Sequence, residues 1–140
     1  MNPKMKRLLL LTLLSAVIFL SGAPRALAQD PQEPDIDKIV NTQVENLTKS
    51  FKLDEVQVFY VDSILQHNYP AMVEEINQTR KTGASNDETY QALSDKWMAA
   101  TDEALEKVFT EEQWQKYLKS AYGKEKKRRD KRMQDRAPAN

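Results

Sequence analysis

Phe109-Thr110-Glu111-Glu112-Gln113-Trp114-Gln115-Lys116-Tyr117-Leu118 reads as the opening of an amphipathic helix. Thr110 carries the side-chain oxygen that an N-cap needs. It can accept from the backbone N–H of Gln113 while the Gln113 side chain reaches back to the N–H of Thr110. Phe109, just before the cap, can staple onto Trp114. Glu111 and Glu112 suit the positive end of the helix dipole. Downstream, Trp114, Tyr117, Leu118, Ala121 and Tyr122 recur at i, i+3, i+4, i+7 and i+8, the spacing of one buried helical face. The same device occurs upstream. Phe51-Lys52 leads into Leu53-Asp54-Glu55-Val56-Gln57, with Leu53 as the apolar residue, Asp54 as the cap, Gln57 as the return partner and Val58 in the staple position. Each cap contributes ~1 kcal/mol to its helix.

Working outward from these two corners, the periodicity predicts about four amphipathic helices and an all-α fold. The first runs from about Asp35 to Ser50, with Ile36, Ile39, Val40, Val44 and Leu47 at helical spacing. The second begins after Leu53 and buries Val58, Val61, Leu65, Met72 and Ile76, with Tyr69 at the edge. Pro70 sits inside it and cannot donate to the carbonyl of Gln66. A kink is expected there, because the apolar stripe continues in phase across it. Residues 80–86 form a loop with Gly83 at its φ > 0 position. A third helix is expected to start from a Ser85/Glu88 capping box, with Tyr90, Leu93, Trp97, Ala100, Ala104 and Val108 facing inward. The fourth starts at Thr110 and loses its apolar signal after Tyr122, with Gly123 as a weak point. Such helices bury their stripes against one another or against a second copy. A small, elongated or dimeric helical-hairpin arrangement is therefore expected, with a homodimer as the assembly.

The N-terminal segment differs in kind. Lys4, Lys6 and Arg7 precede an apolar run from Leu8 to Leu20, and Ala26-Leu27-Ala28 gives the small-x-small pattern of a signal-peptidase site. Residues 1–28 are therefore expected to be a signal peptide cleaved after Ala28. Residues 29–34 read as a flexible leader, 35–123 as the helical domain, and 124–140 as a basic helical extension with a disordered end. Removing the first segment leaves 17 basic and 21 acidic residues, a net charge of −4. Residues 119–136 hold nine basic and three acidic side chains, so a body of −10 carries a tail of +6. The chain has no cysteine and three glycines, which argues against a disulfide framework, a turn-rich β fold and phosphate-cradling loops.

The paired corners resemble those of the Spy/CpxP family of bacterial periplasmic proteins. Its mark is a Leu-Thr-x-x-Gln motif, usually present twice, in a small helical domain behind a signal peptide. Phe109-Thr110-Glu111-Glu112-Gln113 resembles the second copy, with Phe in place of Leu. Leu53-Asp54-Glu55-Val56-Gln57 resembles the first, with Asp in place of Thr. The likeness spans about residues 40–130 in order and spacing of parts. It implies a periplasmic, ATP-independent chaperone or envelope-stress protein that holds unfolding or other envelope proteins and needs no cofactor. Some relatives resemble regulatory modules that bind a sensor protein, and metal binding is a further role among them. The motif residues Leu53, Asp54, Gln57, Phe109, Thr110 and Gln113 read as structural capping groups.

No catalytic arrangement is visible, and an enzyme is not expected. The sole histidine, His67, is a poor metal candidate without converging ligands. The carboxylate pairs Glu74-Glu75, Asp102-Glu103 and Glu111-Glu112 are adjacent, so their side chains diverge on a helix and read as solvated faces. Two surfaces remain as candidates. Phe59, Tyr60, Ile64, Met98 and Leu105 fall off the main stripes and are candidate client contacts. Lys126, Lys127, Arg128, Arg129, Lys131 and Arg132 are candidate electrostatic contacts. They could meet an anionic membrane surface, an acidic client or a sensor domain, or fold across the chain's own acidic body. Nucleic acid is not expected, because export and an acidic body both oppose it.

Overall fold

A computed structural model describes residues 35–83 and 86–137. Among these the chain is all-helical, with five helices: α1 (Ile36–Phe51), α2 (Glu55–Lys81), α3 (Asp87–Val108), α4 (Glu111–Lys119) and α5 (Ala121–Arg136). No strand occurs among the described residues. The expected signal peptide, the whole leader and the last three residues lie outside the described residues, as does Ser85.

The helices start where short polar side chains can satisfy their free N–H groups. Asp35 accepts from Lys38 N, Asp54 from Gln57 N and Thr110 from Gln113 N. Asn86, not Ser85, caps α3 and accepts from Thr89 N at 2.9 Å. Asn fills the role as well as Ser does, so adjacent Ser-Asn left the sequence ambiguous by one residue. Gly83 has φ +69°, in the left-handed region that glycine enters at no steric cost. Pro70 lies within α2, which continues as helix to Lys81.

The expected fourth helix is two helices. Ser120 breaks it with an extended backbone and serves both as C-cap of α4 and as N-cap of α5, accepting from Tyr122 N at 3.2 Å. Gly123 is therefore not a fraying point. A Cβ there would lie 2.1 Å from the carbonyl oxygen of Leu118, so the corner closes only around a residue with no side chain.

Helices α2 and α3 run antiparallel along their lengths. Hydrogen bonds mark the register: Glu75 to Trp97 at the loop end, Asn68 to Thr101 midway, and Gln57 to the Val108 carbonyl at the far end. Helix α1 packs on α2, and α5 folds back along α3. The core is Val40, Leu47, Phe51, Leu53, Val61, Leu65, Leu105, Phe109, Trp114 and Tyr117. Its centre is aromatic. Phe51 lies 5.6 Å from both Phe109 and Tyr117, and Tyr117 stacks between Trp114 at 4.9 Å and Tyr122 at 5.5 Å. Phe109 meets Trp114 edge-on at 6.4 Å, the staple geometry expected at this corner.

The inner face of α3 differs from the expected one. Its buried residues are Asp95, Thr101, Asp102 and Leu105, whereas Tyr90, Leu93, Trp97, Ala104 and Val108 are half-buried and Ala100 is exposed. Counting apolar periodicity misses this face because carboxylates are buried only where cations meet them, and those cations arrive from α5, more than twenty residues downstream.

Candidate functional site

The two capping boxes are joined. Gln57 Oε1 accepts from Asp54 N at 3.1 Å, and Gln113 Oε1 accepts from Thr110 N at 2.9 Å. The remaining capacity of each amide goes to the other corner. Gln57 Nε2 donates to Gln113 Oε1 at 2.7 Å and to the Val108 carbonyl at 3.0 Å. Gln113 Nε2 donates to Gln57 Oε1 at 3.1 Å and to the Phe51 carbonyl at 3.2 Å. Phe51 and Val108 are the last residues of α1 and α3, so each glutamine starts its own helix and satisfies the end of a helix in the other pair. Lys52 enters the first corner in the left-handed region, at φ 53°. This clasp fixes the relative position of both helix–corner–helix units. The side-chain amides of both glutamines are used within the fold.

Beside the clasp lies an apolar patch. Val56, Phe59 and Tyr60 on the first turns of α2 are 65%, 67% and 52% exposed. The Phe59 and Tyr60 rings meet edge-on at 5.6 Å. Tyr60 and Val56 border a groove completed by Gln57, Lys107 and Val108. Placing aromatic rings in water this way forfeits the transfer free energy that burial would supply, on the order of 2 kcal/mol per side chain. Of the five expected contact residues, only Phe59 and Tyr60 belong to this patch. Ile64 is half-buried against the core, and Met98 is half-buried in a cleft with Leu47, Leu65, Tyr69 and Tyr117. Leu105 is 2% exposed and is a core residue, which removes it as a surface contact. Met98 and Leu105 lie on the true inner face of α3, about 120° around from the expected stripe. Val56 was missed because it stands inside the capping motif, where x positions carry no pattern.

The basic helix is divided between two jobs. Arg129 is buried against α3 and donates to Asp102, which also accepts from Tyr117 Oη at 2.6 Å. Arg132 donates twice to Asp95, at 2.7 and 3.0 Å, Arg136 donates once at 2.7 Å, and Gln91 adds a fourth contact at 3.0 Å. These hydrogen bonds, Arg132 foremost, hold the Asp95 carboxyl down at about 2. Burial, with the Asp102 carboxylate beside it, pushes the Tyr117 phenol well above its ordinary value. Arg129 is thus a buried structural cation and Arg132 an ion-paired one, not surface contacts. Lys126 is half-buried and pairs with Asp130 at 2.6 Å. Lys127, Arg128 and Lys131 remain exposed, and Lys124 joins them. A signal for this division was present: the inward cations are all arginine, at 129, 132 and 136, spaced like one helical face.

Among the described residues no group of three or more His, Cys, Asp or Glu side chains could hold a metal ion. His67 is exposed, with its ring 6.5 Å from Trp97. Glu75 accepts from Trp97 Nε1 and from Lys96, bonds that lower its carboxyl below the usual range and tie α2 to α3. Among the described residues no helix is long and apolar enough to cross a membrane. Comparison with known proteins finds no matching family model, no matching curated protein and no matching solved structure.

Proposed function

We propose that this chain is an exported helical binding protein of the Spy/CpxP kind, which holds client proteins without ATP. The observation that carries the reading is the exposed Val56–Phe59–Tyr60 patch, mounted beside a rigid clasp and kept out of the core. A client segment with exposed apolar side chains gains burial there, and the weak, non-directional nature of that gain suits many clients. The paired Leu53-Asp54-Glu55-Val56-Gln57 and Phe109-Thr110-Glu111-Glu112-Gln113 corners and the signal-like residues 1–28 support the family and the location.

The test is light scattering of an aggregating client protein with and without the purified protein. Suppression at stoichiometric amounts is expected, with most of it lost in a Phe59→Ser/Tyr60→Ser variant whose circular dichroism is unchanged. No suppression at stoichiometric excess overturns the proposal. The solution mass is read alongside. If a second copy covers the patch, the variant turns a dimer into a monomer and the patch serves assembly.

A further inference from the structure

The two faces of α5 carry different cations in different states. The inward face holds Arg129, Arg132 and Arg136, all bonded to Asp95 or Asp102. The solvent-facing side holds Lys124, Lys127, Arg128 and Lys131, spaced i, i+3, i+4 and i+7, and these four line one shallow groove. Among the described residues Lys124, Lys127 and Lys131 form no ion pair, and Arg128 reaches only the exposed Glu125 at 3.3 Å. Four cations therefore stand along about 10 Å of helix, with no apolar side chain among them.

From this division we propose that the outer face of α5 docks on the surface of a bilayer carrying anionic headgroups. Three observations favour a lipid surface over a protein. The free cations are chiefly lysine, a compact charge on a flexible stem that imposes no fixed geometry, while three of the helix's four arginines, suited to bidentate recognition, are spent inside. Protein interfaces are depleted in lysine and built around aromatic anchors, and this face has none. The rest of the chain is acidic, so an anionic plane repels the body and attracts this one edge, which orients the molecule. The proposal does not depend on the client-holding reading. It places the Val56–Phe59–Tyr60 patch on a tethered molecule.

The experiment is co-sedimentation of the purified protein with vesicles of phosphatidylcholine, alone or with about 30 mol% phosphatidylglycerol, at about 20 and 500 mM salt. Each cation near an anionic surface strengthens partitioning roughly fivefold, so four give roughly a 500- to 1,000-fold preference for the charged vesicles at low salt. That preference should collapse at high salt. It should also be lost in Lys124→Gln/Lys127→Gln/Arg128→Gln/Lys131→Gln, and kept in Lys38→Gln/Lys49→Gln/Lys81→Gln/Lys116→Gln, which has the same net charge. Any contribution of residues 1–28 is common to all three proteins and cancels. No preference for the charged vesicles overturns the proposal, and so does an equal loss in both variants. Binding of the same face to poly-glutamate with no binding to vesicles assigns it to an acidic protein and overturns it as well.

Discussion

Truncating the two clasp glutamines to alanine, singly and together, tests whether the two corners are one unit. Gln57 makes four hydrogen bonds: from Asp54 N at 3.1 Å, to the Val108 carbonyl at 3.0 Å, and two with Gln113 at 2.7 and 3.1 Å. Gln113 makes the same two, plus one from Thr110 N at 2.9 Å, one to the Phe51 carbonyl at 3.2 Å and a long one to the Lys52 carbonyl at 3.5 Å. A hydrogen bond of this kind contributes a net ~1 kcal/mol, and water can replace those at the exposed caps. Each single variant should therefore lose about 2–4 kcal/mol. Either truncation already removes both mutual bonds, so the sum of the single losses counts them twice. The double variant should then fall short of that sum by about 1–2 kcal/mol. Urea unfolding followed by circular dichroism reads all four stabilities, with equal m-values as the check that one transition is compared. Additivity within about 0.5 kcal/mol would refute the clasp, because independent capping boxes add.

Gly123→Ala should destabilise by about 1–3 kcal/mol, since a Cβ would meet the Leu118 backbone rather than a side chain that can move; a neutral result in thermal unfolding would refute the tight α4–α5 corner. Asp102→Leu leaves the buried Arg129 guanidinium unpaired and should cost about 3–5 kcal/mol, while adding Arg129→Met should recover most of the loss, as read by denaturant midpoints. Asp95 is held near 2 against an ordinary carboxyl value of 3.8, so the stability it contributes is present above pH ~4 and is lost as pH falls toward 2. The urea midpoint of the parent should fall across that window, and the gap between parent and Asp95→Asn should close with it.

Local chemistry placed most of the helices. The caps Asp54 and Thr110, the return glutamines, the loop at Gly83 and the aromatic stripe of Trp114, Tyr117 and Tyr122 are all decided within one or two turns of chain. The helix break at Ser120 was not legible, because the apolar phase runs through it and only the close approach permitted by Gly123 reveals the corner. The inner face of α3 is not legible in the sequence for a related reason. Asp95 and Asp102 count as polar in any periodicity, and their burial depends on arginines that the fold brings back from the other end of the domain.

The sequence by itself determined the all-helical class, the positions of the two capped corners and the acidic body with its basic end, because capping, periodicity and charge are properties of neighbouring residues. Tertiary structure alone decided that the two glutamines clasp each other, that Leu105 is core while Val56 is surface, and that the basic helix turns Arg129, Arg132 and Arg136 inward and leaves Lys124, Lys127 and Lys131 free. Each of those outcomes depends on which groups meet from distant parts of the chain, at a separation of 27 positions for Asp102 and Arg129 and 56 for the two glutamines, and no local pattern encodes that meeting.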